Sequence, residues 1–422
     1  MTDRPLFLTA RINPAGGLQA RSIDDAPAGA AELFSPDHWV DLAETARSGR
    51  FAAVFLADQP QLRLVSDQLP EYTVDPLLLA AVITSRVPEI SVVVTASANY
   101  NQPYTLARQF ASAHLLSDGR VGWNAVASLD PGVAANFGGP VVDHDHRYER
   151  AAEFLDLVHR LFGSWRYPWR TRDGWGEIDP VDWQGRYFAV AGPLNVPLPP
   201  YGPPVQVQAG GSPAGVDLAA RFADVVYAIA HDRGYAADFR GRLRELAARH
   251  GRRDAPLVAP LINPVVVADE AQRQRATDDL VRSGGPIEEQ VARLADRLGR
   301  RLDGLDLDEP IVIDDLESHR PGRPVPQGVA ASLQDLVRRQ RPTLKEALAA
   351  STTALIDTPE RIAAYLIDWW RSGAADGFTI NTIAGTDNLR DVVEQVVPLL
   401  QDKGVYPRAY PDTNLRANLG LG

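Results

Sequence analysis

Short apolar runs rich in valine and isoleucine alternate along this chain with stretches whose apolar positions recur every three or four residues. The first pattern is that of buried strands and the second that of helices packed on one face. Eight runs read as strands: residues 6–12, 51–56, 90–95, 121–126, 205–208, 225–229, 257–267 and 378–381. Helix starts fall between them at Ser35-Pro36, Asp75-Pro76, Ser212-Pro213 and Thr358-Pro359, where a capping side chain precedes a proline suited to the first helical position. Further helices are expected over about 103–116 and 147–162, with a last one ending near Leu400. Eight strand–helix alternations predict an α/β fold, a (β/α)8 TIM barrel with insertions forming one domain over residues 1–422. A doubly wound open sheet is the rival; the length favours the barrel.

Two segments break the rhythm. Residues 165–203 are aromatic and turn-rich, with a hairpin expected around Trp183-Gln184-Gly185-Arg186-Tyr187. Residues 269–355 are helical and charged, with a Pro/Gly tract at 320–324. We read the second as one long insertion between strand 7 and helix 7. On a barrel that connection lies at the rim where active sites form, so the insertion is expected to act as a lid, a helical prop or an oligomer contact.

Composition narrows the functional classes. The 422 residues contain no cysteine, which excludes disulfides, thiolate metal sites and cysteine nucleophiles. A formal charge of −11 argues against nucleic acid as a partner. Residues 1–12 do not read as a secretory signal, and no apolar stretch is long enough to span a membrane. The cytoplasm is the expected address.

In a barrel, strand C-termini face the mouth, which gathers Asp58, residues 97–100, Trp123, Asn124, His144, Tyr148, Gly211 and Ser212 on one rim. The sharpest local signal is Gln208-Ala209-Gly210-Gly211-Ser212-Pro213-Ala214-Gly215. Glycines admit a ligand close to the backbone, and a serine at a helix N-terminus adds a hydroxyl to free N–H groups. An anion cradle and a plain capped helix both fit this segment. Asp143-His144-Asp145-His146 offers divalent-ion ligands, yet the other histidines do not fall at strand ends, so no metal is expected. Asp58 could serve as a catalytic carboxylate, a cap or a ligand acceptor. Tryptophans 165, 169, 175 and 183 suit packing of the barrel's flank.

Taken in order, Phe55-Leu56-Ala57-Asp58, the run from Asn101 to Arg108, the run from Leu116 to Asn124 and His144-Asp145-His146-Arg147-Tyr148 resemble the bacterial-luciferase-like flavin monooxygenases. The likeness continues through residues 188–197 and 373–378 to the closing 415–421, and within the family it points to the nitrilotriacetate monooxygenase component A and dibenzothiophene-sulfone monooxygenase group. The resemblance implies reduced FMN as cofactor, O2 as co-substrate and a flavin–oxygen adduct that oxidises a small organic substrate. It also implies a separate NAD(P)H:flavin reductase as partner and a homodimer or homotetramer. By position it implies FMN contacts from Asp58, Ala98, Asn124, His144 and Tyr148, a phosphate-binding pair in Gly211 and Ser212, and His144 and Asn124 as catalytic candidates. Two alternatives keep the barrel: an oxidoreductase using the deazaflavin F420, and a flavin-binding protein without turnover. Three departures stand out. The loop after strand one reads Pro14 to Ser22 without the histidines of many relatives, positions 98 and 99 are alanine and asparagine, and the doubled serine of the phosphate loop is Gly211-Ser212.

Overall fold

The computed structural model describes residues 4–12, 32–66, 69–70, 74–128, 130–139, 144–172, 174–321, 325, 327–382 and 387–421. The loop at 14–22, Asp143 and part of the 320–324 tract lie outside the described residues.

Eight parallel strands form the barrel: β1 (Phe7–Ile12), β2 (Ala53–Leu56), β3 (Ser91–Ser97), β4 (Val121–Val126), β5 (Gln206–Ala209), β6 (Val225–Ala228), β7 (Leu257–Val266) and β8 (Gly377–Asn381). Their spatial order is β6-β5-β4-β3-β2-β1-β8-β7, and a β6–β7 pairing closes the ring. That closure separates the barrel from an open doubly wound sheet, as the eightfold alternation anticipated.

Side chains alternate across each strand, as the pleat requires. Leu8, Ala10, Ile12, Val92 and Val94 join the layer between sheet and helices. Phe7, Phe55, Val93, Val207, Val225, Tyr227, Leu257 and Ala259 form a separate inner cluster. Leu415 and Leu419 belong to that inner cluster, so the C-terminal turn Leu415–Asn418 closes the floor of the barrel.

The outer ring comprises α1 (Pro36–Ser48), α2 (Pro76–Arg86), α3 (Pro103–Leu116), α4 (His144–Phe162), α5 (Pro213–Phe222), α6 (Arg233–Arg249), α7 (Pro359–Arg371) and α8, which runs from Asn388 to Asp402. Three of the four expected side-chain caps form; Thr358 takes the N-cap position of α7 without a side-chain cap bond. Ser35 accepts from Asp37 N, Asp75 from Leu77 N and Leu78 N, and Ser212 from Gly215 N. In α8 the turn Val392–Val396 widens to a π-helix just before Pro398, whose ring excludes a normal i→i−4 bond.

The connection from β7 to α7 carries four helices, at Glu270–Ser283, Ile287–Leu298, Gln327–Gln340 and Leu344–Ala350. They share their own apolar cluster, including Val281, Leu294, Leu298, Ile311, Leu333, Leu336, Val337, Leu344 and Leu348. The chain returns through a strand that the hydrophobic pattern does not announce, Ala354–Asp357, which pairs in parallel with residues 263–266 of β7. Four half-buried residues directly before a capped helix give no periodic signal of their own. The hairpin at 183–184 and 189–190 is present as expected.

Candidate active site

The mouth is built where β2, β3 and β4 end. Parallel pairing sets Leu56 beside Val94 and Thr95 beside Asn124. Asp58 follows β2, Ala98 follows β3, and Asn124 lies on β4, so these three residues share one rim. Asn124 is 2% exposed; its Nδ2 donates to Thr95 Oγ1 at 3.0 Å, while its Oδ1 is buried without a partner. A buried amide oxygen left unpaired is costly unless a ligand donor completes it.

The turn after β3 is held by one hydroxyl. Ser97 Oγ accepts from Asn99 N at 3.1 Å and Tyr100 N at 3.3 Å, and Ser128 Oγ donates to it at 3.0 Å. Ala98, 1% exposed, contributes its N–H to Val126 O and presents only a methyl group.

Asp58, Asp75, Pro76, Leu78, Thr95, Ser97 and Phe137 help line a cavity of about 300 Å³. Burial, reinforced by the Asp75 carboxylate, pushes Asp58 up from 3.8 to about 6. At neutral pH Asp58 thus carries its charge at a cost and favours a donor from a ligand. Asp75 caps α2, the lesser of the roles open to it.

On the opposite side of the mouth, the glycine-rich turn delivers Ser212 to the N-terminus of α5. Ser212 Oγ accepts from Gly215 N at 3.1 Å and lies 3.0 Å from Tyr148 Oη in the first turns of α4. The fold thus joins two predicted site residues 64 positions apart. A Cβ on Gly215 would lie 3.1 Å from Ser212 Oγ and 3.2 Å from Tyr148 Oη, so the cradle leaves that space to backbone. A Cβ on Gly211 would stand 2.9 Å from Gly328 Cα, at the start of the insertion helix Gln327–Gln340. The packed insertion leaves no room for a side chain at position 211. Gln208 Oε1, just before this turn, is buried without a partner. His144 opens α4, but its side chain lies outside the described residues.

Strand-end reasoning from the sequence missed the polar residues on the β7–β8 side. Asn381 Nδ2 donates to Asn263 Oδ1 at 2.7 Å, Asn263 Nδ2 to Thr353 Oγ1 at 2.8 Å, and Asn388 Nδ2 to Asn381 O at 2.9 Å. Deeper in the barrel Thr9 and Thr379 hydroxyls meet at 3.0 Å. The available signal was a polar residue recurring within otherwise apolar strands, such as Asn263 in β7 and Asn381 at the end of β8. The tryptophans sit on the flank: Trp165 Nε1 donates to Leu194 O at 2.6 Å and Trp183 Nε1 to Glu153 at 3.3 Å, with Trp175 edge-on to Trp165.

The mouth presents the buried Asp58 carboxylate, unsatisfied amide oxygens of Asn124 and Gln208, and a hydroxyl pair at a helix N-terminus. That donor set fits a flat heteroaromatic ligand bearing a phosphate. Among the described residues, no group of three or more His, Asp or Glu could hold a metal ion, and no helix is long and apolar enough to cross a membrane.

Residues 7–377 match the model of the luciferase-like monooxygenases. The chain is 34% identical to nitrilotriacetate monooxygenase component A of Aminobacter aminovorans, over 91% of this chain and 89% of that one. It is 31% identical to the dibenzothiophene-sulfone monooxygenase of Rhodococcus erythropolis, over 92% and 91%. The solved EDTA monooxygenase of Chelativorans sp. BNC1 superposes with a TM-score of 0.89 at 42% identity, covering 99% of both chains.

Proposed function

Because the chain belongs to the luciferase-like monooxygenase family, we propose that it is the oxygenating component of a two-component system that takes reduced FMN from a separate NAD(P)H:flavin reductase and oxidises a small organic molecule. The observation that carries this reading is the Tyr148–Ser212 pair at the N-terminus of α5, a cradle for the phosphate of FMN.

In this reading, bound reduced FMN supplies the reaction with dioxygen and the transfer of one oxygen atom. The chain's own residues position and shield it. Ser212, Tyr148 and the backbone around Gly211 hold the phosphate. Asp58 and Asn124 accept from the ring's N–H groups, which relieves the buried charge of one and the unpaired oxygen of the other. Ala98 leaves an apolar wall, and His144 stands at the entrance of α4. The insertion helix that begins beside Gly211 acts as a lid over the phosphate and keeps water out. The substrates in the relatives' names, EDTA and nitrilotriacetate beside dibenzothiophene sulfone, differ too widely to fix this chain's substrate.

Ser212→Ala should weaken binding of reduced FMN about tenfold, the loss of roughly one charge-assisted hydrogen bond, and leave riboflavin nearly unchanged. Anaerobic titration of both flavins checks it, and equal losses for the two would contradict the cradle. With a flavin reductase, NADH and oxygen, the protein should oxygenate a substrate drawn from a panel of small amines, acids and sulfones, read by mass spectrometry.

A further inference from the structure

Arg147 is one residue away from the cradle's tyrosine and takes no part in the flavin contacts proposed for the mouth. It is 5% exposed, and its Nε is buried without a hydrogen-bond partner. Among the described residues no carboxylate pairs with it. Ala151, Phe154, Leu155 and Val158 on its face of α4 are apolar core, and Phe154 packs on Trp123 of β4. That face points at the barrel wall, so the first turn of α4 sets Arg147 over the rim.

Two residues of the turn after β3 also carry unsatisfied polar groups. The guanidinium lies 5.1 Å from the ring centre of Tyr148, whose hydroxyl meets Ser212. Its charge is felt by Tyr100, whose phenol oxygen is buried without a partner and whose ring stacks on Phe137 at 5.4 Å. Asn99, 4% exposed, leaves both ends of its side-chain amide unpaired. A buried cation with no counter-charge among the described residues is costly. The arrangement is intelligible when a ligand brings the missing negative charge.

We propose that Arg147, beside the cradle's Tyr148 at the start of α4 and with the Tyr100 phenol within reach of its charge, forms an oxyanion subsite at the mouth that pairs with an anionic group of a bound ligand. The group is either the phosphate of the flavin or a carboxylate of the organic substrate. The inference rests on the proposed function in placing a ligand in this mouth, but its test can fail independently.

The test is Arg147→Met, which keeps length and removes charge, with Arg147→Lys as the conservative variant. Three quantities are read: the melting temperature without ligand, the affinities for reduced FMN and reduced riboflavin, and the affinity for nitrilotriacetate as a carboxylate probe. We expect the melting temperature of Arg147→Met to equal or exceed that of the wild type. At the same time one anionic ligand should bind at least tenfold more weakly, with Arg147→Lys recovering part of the loss. A loss confined to FMN identifies the phosphate, and a loss confined to nitrilotriacetate identifies the carboxylate. Unchanged affinities, or a fall in melting temperature without loss of binding, would overturn the proposal and make Arg147 a structural residue. Wild-type protein that binds neither flavin would remove the proposed function, while the carboxylate and melting measurements would still judge Arg147.

Discussion

Asp58 shows how one side chain can record a binding site in its own instability. Burial raises its pKa from 3.8 to about 6, so the fold favours the protonated form. Its contribution to stability is therefore whole below about pH 4 and is lost as pH rises through 6. Asp58→Asn should melt with the wild type near pH 4 and be more stable by about 1–2 kcal/mol above pH 7, allowing for partial solvent screening. Thermal melts across that range check the sign; a variant less stable at pH 7 would refute it. Residues such as Ser212 were legible in the sequence because glycine, serine and proline in that order carry their own local meaning. The isolation of Arg147 and Asn99 was not, since an unmet partner exists only once the surrounding elements have packed. Asn263 and Asn381 lay in plain view on strands expected to be neighbours, but the register that brings their side chains together is set only in the packed sheet.

At the scale of elements, the barrel strands and helix caps were readable because apolar period and capping chemistry agree at each step. The returning strand Ala354–Asp357 was not, because its reason for being a strand is the projecting end of β7. The stretch Gly373 to Phe378, prominent in the family likeness, has a structural explanation. Asp376 forms a buried ion pair with Arg240 of α6 and accepts from Val258 N of β7 at 2.9 Å, so it fastens the outer ring to the start of β8. Asp376→Asn leaves a guanidinium buried without its charge and should cost about 3–5 kcal/mol. Urea unfolding checks this, and flavin affinity measured well below the transition should stay near wild type. A selective loss of binding would mean that the stretch belongs to the mouth.

For the molecule as a whole, the barrel and the insertion have separate apolar cores, joined by polar and backbone contacts that include Arg339 with Asp232 and three more. One is His231, after β6, whose N–H donates to Ser332 Oγ at 2.7 Å. Another is Tyr235, whose hydroxyl donates to Gly328 O at 3.1 Å. The third is the backbone contact of Gly328 with Gly211, too close for any side chain at either position. In the proposed reading, a phosphate bound in the cradle and the packing of the insertion against it are coupled through that contact, so each would steady the other by the same free energy. Addition of FMN, but not riboflavin, should therefore slow tryptic cleavage after the arginines of residues 270–340. Gly328→Val, which wedges the two apart, should speed cleavage and weaken FMN together. Under the proposed reading the Gly211–Gly328 approach is a mechanical link between cradle and insertion, so a protease would report on a cofactor it never touches.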